Sequence, residues 1–266
     1  MRYSIITVNY NNKEGLRKTV LSVISQTCQD YEYIVIDGGS TDGSVDILKE
    51  FNNKISYWVS EPDKGIYNAM NKGIRHAQGD YLNFMNSGDC FYDNHVLEYT
   101  LPYLTADIVY GKLYYYNFNE RSVYLKDNPN MFHFYNNTLN HQSSFISKKL
   151  FSDTLYDEKY KIVSDWKFFI EKLIFQNCSF AVMPVKVALF EGGGISDTDR
   201  ELDAKERKDV LEKMFPPRVI EAFERFKGRE SPMLDLIPLF NRTYRLQKTT
   251  IIITKLLIAL HQFFRR

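Results

Sequence analysis

The chain has little of what redox, zinc and membrane-spanning proteins are built from. Cysteine occurs at three places only, Cys28, Cys90 and Cys178. The number is odd, no pair is closely spaced and no Cys-His ligand cluster surrounds them. That excludes a disulfide framework and a zinc site of ordinary spacing, and it fits a reducing compartment. Net charge is equally scarce. Against 34 Lys and Arg stand 33 Asp and Glu, so the formal charge is +1 and gives no global argument for a nucleic-acid partner. No Gly-x-Gly-x-x-Gly follows the first strand-like run; Asn9-Tyr10-Asn11-Asn12 stands there instead, and there is no Walker A sequence. A tight pyrophosphate cradle on the first helix is therefore excluded. Met1-Arg2 leads directly into strand-like Tyr3 to Val8, and no signal peptide is expected. The apolar stretch near the end, TTIIITKLLIALHQFF at 249–264, carries a lysine in its middle and is shorter than the roughly 20 residues that cross a bilayer.

Aromatic residues are plentiful, with 19 Tyr and 19 Phe, enough for a core and for a site that receives the apolar C–H faces of a sugar ring. The 266 residues suffice for one large domain or a domain with an appendage, and 44% hydrophobic with 25% charged residues describes a chain that folds and stays soluble.

Residues 3–8 form a short β-rich apolar run, ended by Asn9 to Asn12, where Asn11 or Asn12 can cap the helix that carries Leu16, Val20, Val23 and Ile24. A second buried strand at 31–36 ends on Asp37-Gly38-Gly39-Ser40-Thr41-Asp42-Gly43. A helix with Val45, Leu48 and Phe51 inward follows, then a strand at 55–59. The stretch SEPDKGIYNAMNKGIRHAQGDYLNFMNSGD at 60–89 completes the pattern. Its helix, 65–78, places Ile66, Ala69, Met70, Ile74 and Ala77 on one face, with Gly79 as C-cap. Its strand, 80–85, stops at Asn86-Ser87-Gly88-Asp89. The order β-α-β-α-β-α-β predicts a parallel sheet with helices on its faces, and three strand ends carry polar turns on one edge, where open α/β sheets bind ligands.

The two runs VIDGGSTDGSVDILKEF and SEPDKGIYNAMNKGIRHAQGDYLNFMNSGD resemble glycosyltransferase family 2, the inverting GT-A-fold enzymes, and most of all the bacterial branch that builds capsule, exopolysaccharide and O-antigen. The resemblance covers 1–115 closely and 130–197 more loosely. It implies an α/β chain of GT-A type: a Rossmann-like, mostly parallel sheet with flanking helices, plus a C-terminal helical extension. Residues 1–111 would be the nucleotide-sugar-binding half, 112–200 the acceptor-binding and catalytic-base half, and 201–266 the extension with a basic amphipathic tail.

Carried onto this sequence, the resemblance puts the nucleotide against Thr7, Val8, Asn9, Tyr10 and Asp37, with Asp63 and Lys64 in the approaching loop and Ser87 and Gly88 beside it. A carboxylate can accept the imide N–H of uracil, or the N–H groups of guanine, and a tyrosine ring can stack on the base. The family's Asp-x-Asp metal motif is matched by Ser87-Gly88-Asp89. The first carboxylate is a serine here, so Asp89 is left as the ligand of a divalent cation, Mn²⁺ or Mg²⁺. Such a hard cation can complete its shell with diphosphate oxygens and water. His141 and Gln142, a His-Gln pair entering a strand, are expected at the donor sugar and diphosphate. Ser164 is expected to cap a helix with Trp166, Phe169, Ile170, Leu173 and Ile174 as its buried stripe. In isolation Asp165 in that first turn is an ordinary helix-dipole acid; the resemblance makes it the catalytic base.

Past Asp107 to Gly111, strand-like Lys112 to Asn117 is expected to pair with a strand at 122–125, and a further strand is expected at 179–190. Glu191-Gly192-Gly193-Gly194-Ile195-Ser196 suits a loop closing over the donor, and 197–231 reads as a solvated helix. From 241 to 266 there are six cations (Arg242, Arg245, Lys248, Lys255, Arg265, Arg266) and no acid, which together with the apolar stretch predicts an interfacial helix on anionic lipid. The implied protein is a cytoplasmic glycosyltransferase, peripheral on the inner membrane. It would move a sugar from a nucleoside-diphosphate sugar, UDP rather than GDP, to a glycan or lipid-linked saccharide acceptor in surface polysaccharide biosynthesis. The rivals are a nucleotidyltransferase and a non-catalytic nucleotide-sugar-binding scaffold.

Overall fold

The computed structural model of the chain describes residues 1–115, 122–123, 125, 128–194 and 198–226. Its first unit, Met1–Pro216, is organised by one mixed sheet. The strand β1 (Tyr3–Asn9) is buried along its whole length. It pairs in parallel with β2 (Tyr31–Asp37), in a register from Tyr3↔Tyr31 to Asn9↔Asp37. β3 (Tyr57–Ser60) lies parallel beyond β2, and β4 (Tyr81–Phe84) lies parallel on the other side of β1.

Side chains alternate across these strands. Ile5, Tyr33 and Val35 join the core under α1 (Lys13–Ile24) and α2 (Ser44–Glu50). Ile6, Ile34 and Ile36 join the core under α3 (Ile66–His76). Helices on both faces explain why the strands read as continuous apolar runs. Asn12 caps α1 through its side chain, which accepts from the Gly15 amide at 3.1 Å.

The sheet then changes character. β4 pairs antiparallel with β8 (Ser144–Ser147), which pairs antiparallel with β6 (Ile108–Tyr115); β6 runs parallel to β9 (Phe180–Phe190), and β5 (Cys90–Phe91) closes the edge. β7 (Ser122–Val123) pairs antiparallel with β6, as expected for the start of 122–125; Tyr124 lies outside the described residues. The division drawn at residue 111 falls inside β6. Among the described residues, the remaining α-helices of this unit are α4 (Val96–Thr100), α5 (Met131–Asn136), α6 (Ser164–Phe169) and α7 (Arg200–Met214).

Several local expectations need correction. Gly79 does not cap α3. The helix ends at His76 with Ala77 extended, and Gly79 instead passes so close to β1 that a Cβ there would sit 2.5 Å from the Tyr3 carbonyl carbon. The Gly79 amide donates to Ser4 Oγ at 2.8 Å and to buried Glu32 at 3.1 Å. The third strand begins at Tyr57, because residues 52–54 form a 3₁₀ turn and buried Ile55 ends it. In α2 the buried residues are Ser44, Ile47 and Leu48, with Val45 and Phe51 only partly covered. Ser164 is the first residue of α6, and its hydroxyl accepts from the Asp157 amide at 2.5 Å, tying the preceding turn. The helix continues as a π-helical turn, Ile170–Phe175, so its buried apolar residues are Trp166, Phe168, Phe169, Ile170 and Leu173, with Ile174 only partly covered. The stretch expected to be solvated is not wholly so, since α7 buries Glu206 and Val210. In the second unit, Pro217–Arg266, residues Pro217–Phe226 form the amphipathic helix α8. The basic tail at 241–266 and its apolar stretch lie outside the described residues.

Candidate active site

The carboxyl ends of β1, β2 and β4 open on a cleft of about 1040 Å³, the size of a pocket for a drug-sized or larger ligand. At one end, Tyr10 stands 68% exposed beside Gly38 and Asp63. A Cβ on Gly38 would meet Asp63 Oδ2 at 2.6 Å and the Tyr10 ring at 3.1 Å, so the glycine lets these three close together. Asp63 Oδ1 accepts from the Gly65 amide at 2.8 Å, fixing the loop ahead of α3. Val8 and Asn9 line the same end.

Three residues expected on the nucleotide are not among those that line this cleft. Thr7 is buried, with its hydroxyl on Met85 O at 2.7 Å and Tyr33 Oη at 3.0 Å. Lys64 is exposed and does not line the cleft. Asp37 is wholly buried behind Gly38. Its carboxylate accepts from Asn9 Nδ2 (2.7 Å), Ser40 Oγ (2.6 Å), Ser60 Oγ (2.6 Å) and the amides of Gly39 and Ser40 (3.2 and 2.9 Å). Burial opposes its ionisation, but the hydrogen bonds from Ser40, Ser60 and Asn9 prevail and hold the carboxyl below its usual value. Asp37 thus organises the turn whose backbone faces the cleft.

The turn after β4 is built from its neighbours. Thr19 on α1 accepts the Gly88 amide at 3.0 Å and donates to Asp89 O at 2.7 Å. Ser87 and Gly88 line the cleft beside Asn12, and Gly88 has a φ of 107°, which a residue with a side chain would resist. Asp89 is 5% exposed. Gln142 Nε2 donates to its Oδ2 at 2.8 Å and the Glu191 amide to its Oδ1 at 3.2 Å. Burial pushes this carboxyl up to about 6, against the pull of the Gln142 and Glu191 hydrogen bonds and of His141. It forms no ion pair with Lys or Arg among the described residues, and Gln142 Oε1 and Asn86 Oδ1 nearby are buried without hydrogen-bond partners. A buried, uncompensated carboxylate among neutral oxygens has the hard-donor character that Mg²⁺ or Mn²⁺ takes. Among the described residues no cluster of three His, Cys, Asp or Glu forms a complete cage, so the remaining ligands would come from the substrate and water.

The other wall is carried by α6 and the 3₁₀ turn at His141–Ser143. Asn83 in β4 donates to Gln142 O at 2.9 Å and Ser144 O at 3.0 Å, which locks this turn to the sheet. Asp165 is largely buried and holds three donors. These are His141 Nδ1 at 2.9 Å to Oδ2, Tyr67 Oη at 2.8 Å to Oδ1, and its neighbouring Trp166 amide at 2.8 Å to Oδ1. Burial works against ionisation, but the His141 bond and charge, then Tyr67 and the Trp166 amide, keep the carboxyl below its ordinary value. His141 Nε2 meets the Asn86 side-chain amide at 2.9 Å. Asp165, His141, Gln142, Asp89, Ser87 and Tyr10 therefore face one cleft. Glu191 to Gly194, from the loop expected over the donor, line it too, and so do Tyr67, Asn86 and Arg207, which the sequence does not single out. In the sequence Asn86 is only a turn residue, and Tyr67 occupies a helix position whose hydroxyl partner lies 98 residues on.

The family model for glycosyl transferase family 2 matches residues 4–158. This chain belongs to glycosyltransferase family 2. It is 30% identical over 207 residues to a PGL/p-HBAD biosynthesis glycosyltransferase of Mycobacterium bovis, covering 74% of this chain and 79% of that protein. It is also 49% identical over 89 residues to an uncharacterized glycosyltransferase of Mycobacterium tuberculosis, covering 33% of this chain; that match spans about a third (34%) of the relative's length. Two solved structures share the fold. Mannosyltransferase PcManGT from Pyrobaculum calidifontis, in complex with GDP-Man and Mn²⁺, aligns with TM-score 0.64 at 16% identity over 99% of this chain and 82% of its own. Staphylococcus aureus TarS 1-349, in complex with UDP-GlcNAc, aligns with TM-score 0.62 at 17% identity over 73% and 59%. The fold is GT-A: a mixed, curled sheet with flanking helices.

Proposed function

We propose that this family 2 protein is an inverting glycosyltransferase. It transfers a sugar from a nucleoside-diphosphate sugar, UDP in preference to GDP, to a hydroxyl of a glycan or lipid-linked saccharide in surface polysaccharide assembly. The observation that carries the reading is the pairing, within one cleft, of Asp165 held by His141 and Tyr67 with the buried Asp89. Tyr10, Gly38 and Asp63 frame the base. Asp89, flanked by Ser87 and Gly88, would hold a divalent cation, Mn²⁺ or Mg²⁺. When bound, that cation neutralises charge on the departing nucleoside diphosphate.

Asp165 takes the proton of the acceptor hydroxyl as that oxygen attacks the anomeric carbon from the face opposite the leaving group. The new C–O bond forms as the bond to phosphate breaks, and the configuration inverts. His141 and Tyr67 aim the carboxylate and stabilise its charge before the proton arrives. The nucleotide sugars in the PcManGT and TarS complexes, and the Mn²⁺ in the first, support a donor and a metal of these classes. No helix among the described residues is long and apolar enough to cross a membrane. The six cations and the apolar stretch in the sequence of 241–266 support a peripheral position on the inner face of the membrane.

Equilibrium titration with UDP, GDP and dTDP, with Mn²⁺ or with chelator, tests the donor half. Metal-dependent binding of one nucleotide, weakened by Asp89→Ala, is expected. Absence of any nucleotide binding overturns the reading.

A further inference from the structure

Beside Asp165 the cleft wall carries two cations to which the reading above gives no role. Among the cleft-lining residues the Lys and Arg side chains are Lys18, Lys161 and Arg207. Lys18 faces Glu191 across 3.5 Å. Arg207, on α7, lies with its guanidinium carbon 4.5 Å over the ring of Trp166, the residue after Asp165. Its Nε donates to both oxygens of Asp203, at 3.2 and 3.1 Å. The terminal nitrogens of the fork form no hydrogen bond among the described residues, and the side chain is 26% exposed. The guanidinium is thus oriented through one edge and one face, while its other edge has no partner among the described residues. That is the geometry in which arginine receives a two-oxygen anion.

Lys161 is brought to the same wall by the backbone. Glu206, the residue before Arg207, is buried and accepts the amides of Lys161 and Ile162 at 2.8 and 2.9 Å. The turn entering α6 and the middle of α7 are therefore clamped to each other. Lys161 is exposed and makes no ion pair among the described residues.

We propose that Arg207 and Lys161 form an anion subsite for the acceptor, so that the acceptor is a saccharide bearing a phosphate or carboxylate close to its reacting hydroxyl. The proposal rests on the glycosyltransferase reading and names the acceptor class for the same cleft. A structural arginine needs only Trp166 and Asp203. A fork edge and a second cation on the neighbouring turn, both without partners among the described residues, and placement on the wall of the candidate base are what an anionic acceptor requires. Charge-assisted bonds of this kind discriminate strongly against a neutral analogue, whose lack of an anion leaves the cations with water alone.

The test uses full-length protein saturated with UDP and Mn²⁺, so that the donor half is filled. Phenyl phosphate, phenyl β-glucuronide and phenyl β-glucoside are titrated in turn by calorimetry. Expected is binding of at least one anionic probe about tenfold or more tighter than the neutral glucoside. Preference for the phosphate identifies a phosphate-linked acceptor, and preference for the glucuronide a uronic-acid one. Arg207→Gln should abolish the preference and Lys161→Gln weaken it several-fold, both with unchanged UDP affinity. Equal binding of all three probes overturns the proposal, as does a preference that survives both substitutions, or a loss of UDP affinity in Arg207→Gln with the preference intact. Failure of the wild type to bind UDP would instead overturn the glycosyltransferase reading.

Discussion

His141 Nδ1 lies 2.9 Å from Asp165 Oδ2, joining the 3₁₀ turn after residue 140 to the first turn of α6. An ionised carboxylate only accepts, so the imidazole donates its Nδ1 proton and its far nitrogen faces Asn86. The pair converts a buried acid into a fixed, charged acceptor beside the cleft. With one donor on each oxygen from two different elements, Tyr67 and His141, the carboxylate has little freedom to turn.

Asp165→Asn preserves shape and removes the proton acceptor. Turnover should fall by about 10²–10⁴, the range of a general base. Nucleotide affinity should stay at the wild-type value. Initial rates with acceptor, alongside nucleotide titration, check both halves of the statement, and near-normal turnover contradicts the role.

Replacing His141 by Asn should change the pH profile as well as the rate. In the proposed role Asp165 acts when ionised, and its carboxyl is held low chiefly by His141 against the raising effect of burial. Without the imidazole the carboxyl rises, so activity disappears at a higher pH on the acidic side. The rate at pH 5 should therefore suffer more than the rate at pH 8. A variant slowed equally at both would show that His141 does not tune this acid.

Asp37 gives a stability prediction of definite sign. Its folded-state carboxyl lies below its ordinary value, so its contribution is present at neutral pH and lost as pH falls through the folded value. Asp37→Ala leaves the donors of Asn9, Ser40 and Ser60 short of an acceptor. A loss of about 3–5 kcal/mol at pH 7, of the kind seen when a buried charged partner is removed, is expected. Urea unfolding of both proteins should show the gap narrowing toward pH 3. A gap independent of pH contradicts the assignment.

Gly79→Ala should destabilise the fold without touching the cleft. The new methyl would press on the backbone of Tyr3 and Ser4, which sits inside the β1–β4 ladder and cannot turn aside as a side chain would. Thermal denaturation should register about 1–3 kcal/mol or more of lost stability.

The first half of the fold was legible because each strand and helix announces itself by local periodicity, and parallel order follows from alternation. Even there, position at a strand end did not separate the residues that face the cleft from those that build its wall. Asp37 is closed off by Ser40 and Ser60, 3 and 23 residues on, and Thr7 by Met85, 78 residues on. The second half rests on pairings such as β6 with β9, whose partners lie some 70 residues apart and leave no local trace. Asp165 was legible only through its resemblance, since a carboxylate in a helix's first turn is ordinary in itself. Its partner Tyr67 and the cation Arg207 became visible only when α3, α6 and α7 were brought together around the cleft.

The most direct measurement is release of nucleoside diphosphate from a panel of UDP-, GDP- and dTDP-sugars, with Mn²⁺, Mg²⁺ or chelator, by wild type, Asp89→Ala and Asp165→Asn. The account predicts metal-dependent release from one donor, a uridine one, lost in Asp89→Ala and strongly reduced in Asp165→Asn. Nucleotide-sugar binding with no turnover on any donor, unchanged by either substitution, would contradict it and leave a binding scaffold on a glycosyltransferase fold.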